Sequence, residues 1–192
     1  QYGELAKAMA HGQLYLEEEP PQWLQDMADP YDKGARDEAQ KETGEPYLFD
    51  VAYHDGHYYV YFGVVPVVLF YLPFYLLTGA NFPTAIGVLI ACVAFVLGCS
   101  ALLDRFARYH FKRVSLGLYL LLQIPLVTCC GILYLLKFPT FYSLPIMLGL
   151  AFSVWGLYFW MRGRASAARS TGPEKWYLAG SLCMALVVGC RP

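Results

Sequence analysis

Four stretches of this chain, 82–103, 114–136, 140–161 and 176–190, contain no charged side chain at all. A helix of about 20 apolar residues crosses the roughly 30 Å hydrocarbon core of a bilayer, so each stretch has the length of a membrane span or approaches it. With 57% hydrophobic and 15% charged residues in 192, a soluble domain would lack the polar surface to cover itself. The implied fold class is all-α integral membrane. The run 176–190 stops short of a full span and the chain opens at Gln1 without Met, so a piece of a longer protein is expected. A fifth apolar stretch, 60–77, carries Pro66 and Pro73, each of which removes a backbone donor and interrupts a helix.

Charge divides the chain in two. Residues 1–57 hold 13 acidic and 4 basic side chains, whereas the remainder holds 2 and 10. Three segments follow: an acidic one at 1–57, an aromatic juxtamembrane or re-entrant one at 58–79, and a transmembrane region at 80–192. Lys and Arg flanking short loops mark the cytoplasmic side. The loop 104–113 holds Arg105, Arg108, Lys112 and Arg113, and 162–175 holds Arg162, Arg164, Arg169 and Lys175, against Lys137 alone at 137–139. Both basic loops are therefore expected in the cytoplasm, with 82–103 running inward, 114–136 returning, 140–161 running inward again and 176–190 heading out.

That parity leaves two readings of 60–77. A full crossing would put 1–57 in the cytoplasm, and a dip into the outer leaflet would leave it extracytoplasmic. The prolines and the many rings from Tyr58 to Tyr75 favour the second, because amphipathic aromatics settle at the headgroup level. Within 82–103, Gly87 with Ala91 and Ala94 with Gly98 are small residues four apart, which allows close approach of another helix. Gln123 and Pro125 are expected to kink 114–136, with the amide bonded to a neighbour. All six cysteines lie in apolar runs, and none shows metal-ligand or disulfide spacing; they are expected to be small buried hydrophobes.

In the acidic segment, Leu5, Ala8 and Met9 fall at helical spacing over 2–10, and His11-Gly12 ends that helix. Asp29-Pro30-Tyr31-Asp32 reads as a turn, and 36–43 as a solvated helix or loop. The densest chemical cluster is 49–63, where Asp50, His54, Asp55, His57, Tyr58 and Tyr59 precede the apolar region. A carboxylate there could act as general base or hold a divalent cation, and a histidine could contact phosphate. The simpler reading is a hairpin, with Asp55-Gly56 as its turn between short strands at 51–53 and 58–60. Asp50 lies before that turn and is harder to assign to it. Asp29 and Asp32 suit turn or capping roles.

Two motifs in this order, Tyr2-x-x-x-Ala6-x-Ala8-x-x-x-Gly12-Gln13-Leu14-Tyr15 and Gly56-x-Tyr58-Tyr59-x-Tyr61-Phe62-Gly63-x-x-Pro66, followed by a span ending in arginines, resemble the GT-C type polytopic membrane glycosyltransferases. Protein mannosyltransferases and aminoarabinose transferases belong to that class, and the likeness is greatest to uncharacterised bacterial membrane proteins of the same type. The resemblance implies a multi-pass protein of the bacterial cytoplasmic membrane that takes a sugar from a polyprenyl-phosphate donor and passes it to an extracytoplasmic acceptor. It also implies that the principal acid lies upstream of Tyr2. Asp50 and Asp55 are then the catalytic candidates within the chain, with His54, His57, Tyr58, Tyr59, Asp29 and Asp32 as substrate-binding candidates and a divalent cation as a possible cofactor. Membrane lipid is an expected partner and nucleic acid is not. Two other classes stay open: a lipid flippase or transporter component, and a non-enzymatic membrane assembly protein. A transport pathway is usually marked by ionisable residues within the spans, and 82–103 and 140–161 have none.

Overall fold

The computed structural model describes residues 1–169 and 171–191. The chain forms two units: Gln1–Phe62 with Val67–Phe82, and Gly63–Pro66 with everything from Pro83 onward.

The first unit opens with α1 (Tyr2–Ala10), which buries Tyr2, Leu5, Ala6 and Ala8 along one stripe, the spacing that marks an amphipathic helix. A short helix α2 (Gln22–Gln25) follows. Helix α3 (Lys33–Thr43) starts three residues before the expected 36–43 and buries nothing. Asp32 caps it by accepting from the Gly34 and Ala35 amides at 2.8 and 3.2 Å, and Gly44 ends it at φ +71°, a left-handed conformation that glycine adopts without penalty. The hairpin forms with β1 (Ala52–His54) and β2 (His57–Tyr59), each one residue nearer the turn than the pattern predicts. A π-helical turn, Val67–Tyr71, then runs into α4 (Leu72–Thr78). Together they rise about 18 Å, well short of the hydrocarbon thickness. Pro73 falls just after the π-helical turn, where its missing N–H removes a bond of the continuous helix. The rings of Tyr2 and Tyr71 lie 5.6 Å apart, and Phe82 stacks on Phe70 at 5.3 Å.

The second unit contains α5 (Thr84–His110), α6 (Leu116–Thr128), α7 (Ile132–Lys137), α8 (Ser143–Ala167) and α9 (Glu174–Cys190). Helices α5 and α8 are long and apolar enough to cross a membrane. Both outrun the predicted spans, because nothing at their polar ends stops them: α5 continues through Asp104 and Arg108, whose Nε bonds both carboxylate oxygens at 2.9 Å one turn apart. Most of the expected basic loop 104–113 is thus helix.

The stretch 114–136 does not form one span. It divides at Gly131, whose φ of +74° an α-helix cannot accommodate, and Pro125 stays inside α6 instead of marking the break. The amide of Gln123 does bond a neighbour, donating to Ser100 Oγ on α5 at 2.8 Å. Cys129 and Cys130 are exposed in the turn between α6 and α7, contrary to the expectation of burial, whereas Cys92, Cys99 and Cys190 are buried.

The small residues decide how these helices pack. Gly87, Ala91 and Gly98 are buried in one stripe of α5. The Trp155 indole N–H of α8 donates to the Ala94 carbonyl at 2.9 Å, and Arg164 lies over the Tyr109 ring at 5.5 Å. Positions on α5 and α8 rise together, so the two helices are parallel. Across α8 and α9 the order reverses: Gly156 faces Gly180 and Met184, and Gly163 faces Tyr177. Helix α6 likewise returns along α5, with Gln123 beside Ser100. Leu89, Val93 and Leu97 of α5, Leu116, Leu121 and Ile124 of α6, and Leu178 and Leu182 of α9 are each more than half exposed. Soluble monomers rarely expose so many apolar side chains together.

Candidate functional site

The hairpin positions most of the site candidates. Asp55 and Gly56 form its two-residue loop with φ of +47° and +75°, the backbone of the tight turn whose twist matches the strands, for which Asp-Gly is a preferred pair. Register pairs Tyr53 with Tyr58 and His54 with His57, and alternation sends the two pairs to opposite faces. Tyr58 is 2% exposed and turned into the core. Burial pushes its hydroxyl above the ordinary tyrosine range, against a smaller lowering by the Leu48 backbone. On the other face, the His57 ring sits 4.1 Å from Tyr15, Tyr59 lies 6.3 Å from Tyr15, and His57 Nδ1 is 2.8 Å from the Asp55 carbonyl. His54 is solvent-exposed, with Nε2 3.4 Å from Asp55 Oδ2.

Asp50 and Asp55, adjacent in the sequence cluster, line different clefts. Asp55 and His57 border a polar cleft of about 700 Å³ with Gln13, Tyr15, Gln25 and Glu17 to Glu19. The Leu16 amide donates to the Tyr58 carbonyl at 2.8 Å, which lays the glutamate run beside the turn. Glu17 bonds Lys7 Nζ and His11 Nδ1, both at 2.8 Å. Lys7, with a smaller contribution from His11, holds its carboxyl below the ordinary value.

Asp50 borders a second cleft of about 600 Å³ with Tyr31, Lys33, Arg36, Tyr47, Phe49 and Tyr61. Its φ of +58° is uncommon for a residue bearing a Cβ and is best tolerated by Asn and Asp. Gln1 fixes the approach to it by donating to the Phe49 carbonyl at 2.8 Å. Arg36, on α3, is held between the rings of Tyr31 and Tyr47, 5.2 Å from each centroid, and its Nε has no hydrogen-bond partner among the described residues. The Tyr31 hydroxyl donates to the Tyr53 carbonyl and accepts from the Tyr53 amide, both at 2.8 Å, so the α3 end is tied to the hairpin. A carboxylate, two cations and aromatic walls meet here, which suits an anionic ligand with a flat apolar face.

Asp29 and Asp32 serve the backbone: Asp29 Oδ1 accepts from the Tyr31 amide at 2.9 Å and Asp32 caps α3. They shape the wall that carries Tyr31, Lys33 and Arg36. Sequence alone does not mark those three, or Tyr47 and Tyr61, as site residues, because they are scattered over 31 positions with no motif; the one signal is a basic residue beside tyrosines in an otherwise acidic segment. Among the described residues no group of three or more His, Cys, Asp and Glu side chains is placed to hold a metal ion. Comparison with protein-family models, curated proteins and solved structures finds no match for the chain.

Proposed function

We propose that this chain carries an outer loop and membrane helices of a GT-C type glycosyltransferase that transfers a sugar from a polyprenyl-phosphate donor to an extracytoplasmic acceptor. One observation carries the reading: Asp50 shares a cleft with Lys33 and with an Arg36 that has no carboxylate partner among the described residues and is clamped between two tyrosines. Phosphate would pair with the two cations, a sugar face would lie on the rings, and Asp50 would take the proton of the acceptor hydroxyl. The bond from sugar C1 to the phosphate oxygen then breaks as the acceptor oxygen bonds to C1, and polyprenyl phosphate leaves. Asp55 and His57 line the other cleft and would receive the acceptor.

A multi-pass orientation with 1–57 outside the cytoplasm fits the helix directions. The charge rule requires 82–103 and 140–161 to run the same way, and α5 and α8 are parallel. It also requires the return and the last span to oppose them, as α6 and α9 do. In the bacterial cytoplasmic membrane that orientation would put residues 1–57 on the face where a polyprenyl-phosphate sugar would be presented.

The test uses membranes containing the full-length protein and radiolabelled polyprenyl-phosphate sugar. Asp50→Asn keeps the shape and tolerates the positive φ, so the expected loss in turnover, on the order of 10²–10⁴-fold for a general base, reports chemistry. Arg36→Gln is expected to raise the donor concentration needed. Unchanged turnover after Asp50→Asn combined with Asp55→Asn would remove the site assignment.

A further inference from the structure

We infer that the elbow between α5 and α6 binds an anionic phospholipid from the membrane leaflet that carries the basic loops, a site separate from the Asp50 cleft. Two cavities adjoin there. One, of about 320 Å³, has a charged mouth containing Asp104, Arg108, Lys112 and Arg113. The other, of about 210 Å³, is lined between Leu103 and Leu122 by apolar side chains apart from Arg113. Phe111, Arg113, Val114 and Tyr119 line both, so a ligand filling the pair must be anionic at one end and hydrocarbon at the other.

The charges favour the same ligand. Asp104 is taken up by Arg108, which holds both of its oxygens, leaving Lys112 and Arg113 without a carboxylate partner among the described residues. They lie in the short segment between the end of α5 and Ser115, which caps α6 through the Leu118 amide at 3.2 Å. Leu116, in the first turn of α6, lines the charged cavity, and the amide end of a helix favours an anion. Basic pockets between membrane helices on the cytoplasmic side are a recurrent means of holding acidic headgroups. A phosphodiester suits the charged mouth and part of one acyl chain the apolar cavity, the rest of the lipid lying in the bilayer. Inorganic phosphate suits only the charged mouth.

The inference rests on α5 and α6 lying in a bilayer, but its assay reads lipid occupancy and not sugar transfer, so either reading can fail alone. Full-length protein is purified from vesicles containing phosphatidylcholine with phosphatidylglycerol, and co-purifying lipid is measured by mass spectrometry. Retention of phosphatidylglycerol above its share of the vesicle is expected. Lys112→Gln with Arg113→Gln is expected to reduce it on the order of tenfold, since each basic group near an anionic surface is worth several-fold in binding. Val114→Trp, which fills the apolar cavity without altering charge, is expected to reduce it too. Arg169→Gln with Lys175→Gln removes equal charge elsewhere and is expected to leave it unchanged. Gel filtration confirms that each variant is folded. Unselective retention by the parent protein, equal loss from both charge pairs, or full displacement by inorganic phosphate would overturn the proposal.

Discussion

Single residues in the acidic segment act through geometry that depends on ionisation. Glu17 bonds Lys7 first and His11 second, and its carboxyl is held below the ordinary 4.5, while Lys7 is raised above 10.5 chiefly by the same Glu17 bond. A lowered carboxylate stabilises the fold above its unfolded value and loses that contribution as pH falls through the folded one. A raised lysine contributes below its unfolded value and loses it as pH rises through the folded one. The α1 contact should therefore be fully present between about pH 5 and 10. Melting of the parent protein is expected to fall as pH drops from 5 towards 3, and Glu17→Gln should flatten that part of the profile. Because these side chains are well exposed, added salt should weaken the effect. An unaltered slope in Glu17→Gln would show that the pair does not contribute. The same scale explains what was readable at Asp55 and at Asp50: an Asp-Gly pair between β-favouring flanks specifies its own turn, whereas the partners of Asp50 are gathered from three other segments.

At the level of elements, glycine sets the helix contacts. A Cβ at Gly98 would come within 3.0 Å of Trp155 Nε1 and 3.1 Å of Val154 Cγ1, so a larger side chain must separate α5 from α8 and strain the bond between Trp155 and Ala94. Gly98→Leu is expected to destabilise the helical unit by about 1–3 kcal/mol, the usual cost of overpacking, with a lower melting temperature in detergent. Gly149→Ala, where an added Cβ meets nothing within 4 Å, serves as the neutral control. The pairing of Gly87 with Ala91 and of Ala94 with Gly98 was legible because small residues four apart leave a groove on any helix. The division of 114–136 was not, since Gly131 looks no different in sequence from glycines that stay helical, such as Gly149 and Gly156.

For the whole molecule, charge and apolar length determine where each part can reside. In the proposed orientation the outward-facing leucines on α5, α6 and α9 would meet hydrocarbon and the acidic segment water. Single cysteines introduced into a background with the six native ones replaced test the orientation. Glu45→Cys should react with a membrane-impermeant maleimide in intact cells, and Lys112→Cys only after permeabilisation. The reverse pattern would place residues 1–57 in the cytosol and remove the proposed enzyme. Helix direction is independent of that labelling, and parallel α5 and α8 demand that their basic ends share one side.

Composition and spacing by themselves determined that the chain is helical and apolar, that α5 and α8 start where they do to within about three residues, and that an Asp-Gly hairpin precedes them, because these follow from local backbone preference and from the length needed to cross lipid. Tertiary structure alone decided that Asp50 and Asp55 open onto different clefts, that Arg36 stands between Tyr31 and Tyr47, and that the return from α5 breaks at Gly131. Each of those depends on residues far apart in the chain meeting in space, and the energy that selects the meeting comes from packing and charge between segments, which no local pattern records.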